Sequence, residues 1–125
     1  MTRQAYRSES APAPAGPYSQ SVQAGGVIAC AGQAGLTPDG QLADGVTEQT
    51  RQALRNIVAT LAAAGAATDD VIHVRVYLTD PEQFQQMNAA YAEFFAEPYP
   101  ARTTVYVGLP AGLLVEIDAL AVVRS

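Results

Sequence analysis

Between Leu113 and Val123 two carboxylates, Glu116 and Asp118, stand among nine apolar residues. The segment is patterned as a strand, in which residues two apart share a face, so both acids project from the same side of a sheet. An ionised carboxylate in apolar surroundings is costly unless it is paired, hydrogen-bonded or open to a cleft. Arg102, at the head of the preceding strand-like segment, supplies a candidate partner.

The rest of the chain supplies the layers around that strand. Tyr18 to Ala24 and Gly26 to Ala31 predict two short strands joined at Gly25-Gly26. From Val46 to Ala64 the residues Val46, Ala53, Leu54, Ile57, Val58 and Leu61 recur at helical spacing, with Asp44 as the expected cap and Gly65 as the stop. Val71 to Thr79 alternates, placing Ile72, Val74, Val76 and Leu78 on one face and His73, Arg75 and Tyr77 on the other. Asp80-Pro81-Glu82-Gln83 then initiates a helix with a buried stripe of Phe84, Met87, Tyr91, Phe94 and Phe95, ended by Pro98 and Pro100. Strands over Arg102 to Val107 and Leu113 to Arg124 complete the order β-β-α-β-α-β-β, with an extra N-terminal strand near Gln4 to Arg7. This predicts an α+β fold, one mixed β-sheet with two helices packed on one face. The other face, carrying Arg75 and Tyr77, is too apolar in places to be left bare, and packing against sister subunits is expected.

Composition excludes several kinds of chemistry. A chain of 125 residues suits a single domain, here 1–125. All seven basic residues are arginine, so there is no lysine for a Schiff base or a P-loop. One histidine and one cysteine cannot build an ordinary structural zinc site within one chain. Cys30, in Val27-Ile28-Ala29-Cys30-Ala31, reads as a buried, inert thiol, and His73 as a polar-face or interface residue. The net charge of −5 argues against a broad nucleic-acid or acidic-membrane surface. No apolar run is long enough for a membrane span, and Met1-Thr2-Arg3-Gln4 leads into no signal core, so a soluble, cytoplasmic protein is expected.

If the last two strands pair as a hairpin, Arg102 and one carboxylate line one cleft. A guanidinium holds a substrate carboxylate with a planar two-pronged fork, and a carboxylate in an apolar wall has a raised pKa and can activate water. The same pair also serves as a structural ion pair.

Gly16-Pro17-Tyr18-Ser19-Gln20, Ala31-Gly32-Gln33, Asn88-Ala89-Ala90-Tyr91-Ala92-Glu93-Phe94-Phe95, Pro100-Ala101-Arg102 and Val115-Glu116-Ile117-Asp118-Ala119 together resemble the RidA (YjgF) family of 2-imino acid deaminases. The likeness spans essentially the whole chain, in order and in register. It implies a chorismate-mutase-like fold assembled as a homotrimer with clefts between subunits. It also implies cofactor-free hydrolysis of 2-imino acids and their enamine tautomers, such as 2-aminoacrylate, to 2-keto acids and ammonia. Carried over by position, Arg102 matches the arginine that binds the substrate carboxylate and Glu116 the carboxylate that activates water. Tyr18 matches a tyrosine reaching ligand from a neighbouring subunit, the Gly32 amide a second carboxylate anchor, and Asn88 a pocket-edge asparagine. Judged on residue type alone, Tyr18 also reads as a loop aromatic, Gly32 as a bulge or close-packing glycine, and Asn88 as a helix-edge hydrogen bonder.

The departures from the family cluster near the cleft. Ala31 stands where many members have serine or threonine, Thr104 where many have cysteine, and the Val107 to Leu109 connection is one residue short. They bear on substrate preference and rate more than on fold, and they make Thr104 a substrate-side candidate. The competing functions are a non-catalytic trimeric ligand-binding or holdase-like protein, and a ribonuclease or translation inhibitor.

Overall fold

The computed structural model describes residues 2–124. Six strands, β1 (Gln4–Tyr6), β2 (Ser21–Ala24), β3 (Val27–Ala34), β4 (Val71–Leu78), β5 (Ala101–Tyr106) and β6 (Val115–Val122), form one sheet in the order β1-β2-β3-β6-β4-β5. Helices α1 (Gly45–Ala63) and α2 (Phe84–Tyr91) pack side by side over one face of it. The α+β class and the element order agree with the pattern read from the sequence. β2 starts at Ser21 rather than Tyr18, and β3 runs on to Ala34 rather than ending at Ala31.

β6 is antiparallel to both β3 and β4, so β3-α1-β4 is a split crossover with β6 inserted between its two parallel strands. β4-α2-β5 is an ordinary parallel crossover, with β5 at the sheet edge. A hairpin between the last two strands, the condition for Arg102 and a carboxylate to line one cleft within a chain, therefore does not form. β6 buries Val115, Ile117, Ala119 and Ala121 on its helix-side face and needs neighbours on both sides. β5 leaves Ala101, Thr103, Val105 and Tyr106 exposed, which suits an edge.

Helix α1 buries Val46, Ala53, Leu54, Ile57 and Leu61 along one stripe, each large apolar side chain contributing about 1.5–3 kcal/mol by leaving water. It ends in a Schellman motif: Gly65, at φ +81°, donates to the Ala62 carbonyl, and Ala66 to that of Leu61. Asp44 occupies the N-cap position, but its side chain makes no capping bond. Asp80 does cap, its Oδ1 accepting from the Glu82 amide at 2.9 Å. A 3₁₀ turn over Pro81–Gln83 leads into α2, which stops at Tyr91, well short of Pro98. Of the expected stripe Met87, Tyr91 and Phe95 are buried, while Phe84 and Phe94 are only partly so.

Ile72 is a second correction. A bulge between Val71 and His73 breaks the alternation, so Val71 turns inward and Ile72 outward, 54% exposed. Three buried amides tie the layers together. Gln49 of α1 donates to the Ala43 and Gly112 carbonyls and accepts from the Leu114 amide. Asn56 donates to the Leu36 carbonyl, and Gln20 links the Ser8 backbone to the Pro12 carbonyl.

Candidate functional site

Strand register decides which face each candidate residue occupies. Arg102 and Thr104 pair with Val74 and Val76 of the buried alternation, so they lie on the helix side of the sheet. Glu116 and Asp118 pair with Tyr77 and Arg75 and lie on the open side. Within one chain, then, Arg102 and Glu116 are on opposite faces, two strand spacings apart, or roughly 10 Å. The loop bearing Tyr18 enters β2, four spacings or roughly 19 Å from β5. The six sequence candidates thus fall into three places: Arg102 with Asn88 and Thr104, Gly32 with Glu116, and Tyr18 by itself.

Arg102 is held from α2. Its Nη2 donates to Asn88 Oδ1 at 2.7 Å, and its guanidinium carbon lies 4.7 Å from the Tyr91 ring centre and 5.6 Å from that of Phe84. Among the described residues no carboxylate comes within salt-bridge distance of it. A half-buried cation without a counter-charge favours an anionic ligand. A cavity of about 420 Å³ opens there, bounded by Asn88, Tyr91, Ala92, Tyr99, Pro100 and Arg102. The buried side-chain oxygens that lack a hydrogen-bond partner among the described residues are Gln83 Oε1, Tyr91 OH and Thr104 Oγ1, all on or next to α2 and β5.

On the open face Asp118 accepts from Arg75 Nε and from the Tyr77 hydroxyl, both at 2.9 Å. The acid that found a guanidinium is therefore Asp118, and its partner is Arg75 rather than Arg102. Glu116 lies against Gly32. β3 bulges between Cys30 and Gln33, setting Ala31 and Gly32 opposite Asp118, and a Cβ added to Gly32 would stand 2.5 Å from Glu116 Oε2. Gly32 is thus a bulge glycine over which the Glu116 side chain is laid. Burial pushes the Glu116 carboxyl above its ordinary pKa, and the nearby Asp118 charge adds to the rise. Gly32→Ala should leave the fold intact, because the clashing atom is the end of a flexible side chain. If Glu116 is the water-activating carboxylate that the family resemblance implies, the substitution should also cost about 10²-fold in turnover by displacing that group about 1 Å. Tm and kcat measured on the same preparation check this.

Tyr18 is half exposed, and its hydroxyl accepts from the Ala15 amide at 3.1 Å. Cys30 is buried, which pushes its thiol pKa up, as expected for an inert cysteine. Among the described residues no group of three or more His, Cys, Asp or Glu side chains is placed to hold a metal, and no helix is long and apolar enough to cross a membrane. Sequence reasoning missed the contacts of Phe84 and Tyr91 with Arg102. The signal was present: Phe84, Asn88 and Tyr91 fall at i, i+4 and i+7, one face of a helix.

Comparison with known proteins places the chain in a family and matches its fold. A family profile described as Endoribonuclease L-PSP matches residues 8–123. A RutC family protein of Pyrococcus horikoshii is 49% identical over 116 residues, covering 90% of this chain and 92% of that protein. A 2-iminobutanoate/2-iminopropanoate deaminase of Salmonella typhimurium is 40% identical over 121 residues, covering 93% and 94%. The crystal structure of RidA from an Antarctic Psychrobacter superposes with a TM-score of 0.92 at 38% identity, covering 96% of this chain and 99% of that one.

Proposed function

We propose that this chain, which belongs to the Endoribonuclease L-PSP family that includes the RidA proteins, is a cofactor-free deaminase of 2-imino acids and their enamine tautomers. The observation that carries this reading is the half-buried Arg102 guanidinium, bonded to Asn88 and set over the Tyr91 ring, with no carboxylate among the described residues to neutralise it. The Arg102 fork binds the substrate carboxylate, with the Gly32 amide as second anchor and Thr104 beside it. Water held by Glu116, whose raised pKa suits a base, adds to the imine carbon; the resulting carbinolamine expels ammonia and leaves the 2-keto acid.

Because Arg102 and Glu116 lie on opposite faces of one sheet, the working cleft takes them from different copies. The open face is made for such a contact: Val27, Ile72, Val105, Leu120 and Val122 are exposed on it. Tyr18, far from β5 in its own chain, then enters the cleft from a neighbour. The assembly is a homotrimer. Light scattering at micromolar concentration should give the mass of three chains, and a stable monomer would remove the shared cleft.

The deciding assay generates 2-aminoacrylate or 2-iminobutanoate in situ with an amino acid dehydratase and follows its decay. Loss of many equivalents of imine per chain establishes catalysis. Stoichiometric loss alone makes the protein a binder. Ribonuclease action has less physical support, since net charge is −5 and Arg51 and Arg75 are already paired with acids. Intact RNA after prolonged incubation is the expected result.

A further inference from the structure

We propose that Asn88 and the ring face of Tyr91 are positioning residues, which hold the Arg102 guanidinium flat and ready for a carboxylate. The inference rests on the assignment of Arg102 as the carboxylate clamp. An arginine side chain is long and rotamer-rich, and a fork is useful only if its plane is set before the ligand arrives. Two contacts set it here. The hydrogen bond from Nη2 to Asn88 Oδ1, 2.7 Å long, fixes one end of the fork. The Tyr91 ring, its centre 4.7 Å from the guanidinium carbon, backs the guanidinium on one side.

The chemistry of both partners suits this task. A carboxylate at position 88 would hold the guanidinium at least as firmly but would neutralise it and compete with the substrate; the neutral amide holds it and leaves the charge available. Tyr91 acts through its face. Its hydroxyl is buried without a partner among the described residues, and burial pushes the phenol pKa upward against a smaller opposing effect of Arg102. The phenol therefore stays neutral and adds no charge beside the guanidinium. Removing that hydroxyl removes an unpaired buried polar group and leaves the stacking surface.

The test uses the full chain and four variants, N88A, N88D, Y91F and Y91L, each checked for assembly by light scattering. Two quantities are read: kcat and KM for 2-iminobutanoate generated in situ, and the Kd of 2-oxobutanoate by calorimetry. N88A and Y91L should raise KM and Kd about five- to tenfold while kcat changes by less than about threefold, because binding suffers and chemistry does not. Y91F keeps the ring face and should lose clearly less than Y91L. N88D should weaken 2-oxobutanoate more than N88A does, since the new carboxylate occupies the fork. With a simple ketone imine, which has no carboxylate, N88A and Y91L should lose less than they do with 2-iminobutanoate.

Asn88 is only half buried and has no part in the core, so N88A remains informative if Y91L fails to assemble. Parent-like Kd in N88A overturns the proposal. So does a loss in Y91F equal to that in Y91L, or an equal loss with the ketone imine. If the parent hydrolyses no imine but binds 2-oxobutanoate with the same pattern of variants, the deaminase assignment fails and the positioning role stands. If the parent does not bind 2-oxobutanoate, the positioning role falls as well.

Discussion

Glu116→Gln is expected to lower kcat for a 2-imino acid by about 10²- to 10⁴-fold while leaving assembly and 2-keto acid binding nearly unchanged. The amide keeps the shape that lies over Gly32 and loses the basic oxygen. Burial, reinforced by Asp118, holds the Glu116 carboxyl above its ordinary value of 4.5. Two consequences follow for pH. A water-activating base works in its ionised form, so under the proposed function the acid limb of the parent's kcat profile should lie above 4.5 and be missing from the residual activity of the variant. For stability the sign is opposite to that of a salt-bridged acid. The folded protein keeps this proton to higher pH than the unfolded chain does, so stability attributable to Glu116 falls as pH rises through the window from 4.5 to the folded value. Glu116→Gln lacks that decline and should melt no lower than the parent at neutral pH. Unchanged turnover would remove Glu116 as the water-activating base, and a fall in Tm there would mark its charge as structural.

What could be read from the sequence was what is decided locally. Helix α1 follows from the spacing of Leu54, Ile57 and Leu61, and its end from Gly65, because a helix satisfies its own backbone and needs only one apolar stripe. The core side of β4 was legible at Val74, Val76 and Leu78 but not at Ile72, since a bulge depends on the partner strand. Pairing was the larger gap. A short Gly-Pro-containing connection between β5 and β6 looked like a hairpin, yet β4 takes the place between them. That change puts Arg102 on the side opposite Glu116, although the i, i+2 parity within each strand was right. For the same reason Asp118 meets Arg75, a residue 43 positions away. The structural roles of the Gln20, Gln49 and Asn56 amides have no local signal, because their partners are backbone groups of distant loops. The apolar pattern singled out Glu116 with Asp118, the family likeness chose Glu116 and added Gly32, and the structure lays Glu116 against Gly32.

Replacing Arg102 tests the other half of the cleft. A bidentate guanidinium-carboxylate clamp contributes about 1.5–3 kcal/mol per charged hydrogen bond, and an ammonium offers a point charge where the ligand needs a plane. Arg102→Lys is therefore expected to keep the fold and charge yet lose about 10- to 100-fold in kcat/KM on 2-imino acids. Arg102→Ala should lose more. The lysine also forfeits the stacking on Tyr91 and reaches Asn88 with a single donor, so restoring charge alone should recover little. Both losses should vanish for an imine without a carboxylate, since that ligand never engages the fork. Stability offers the control: among the described residues Arg102 meets no acid, so its removal breaks no ion pair and should leave assembly intact. If both substitutions chiefly dissociate the protein, or if Arg102→Lys equals the parent on imino acids, Arg102 is an anchor between copies. The proposed chemistry then has no group left to hold its substrate.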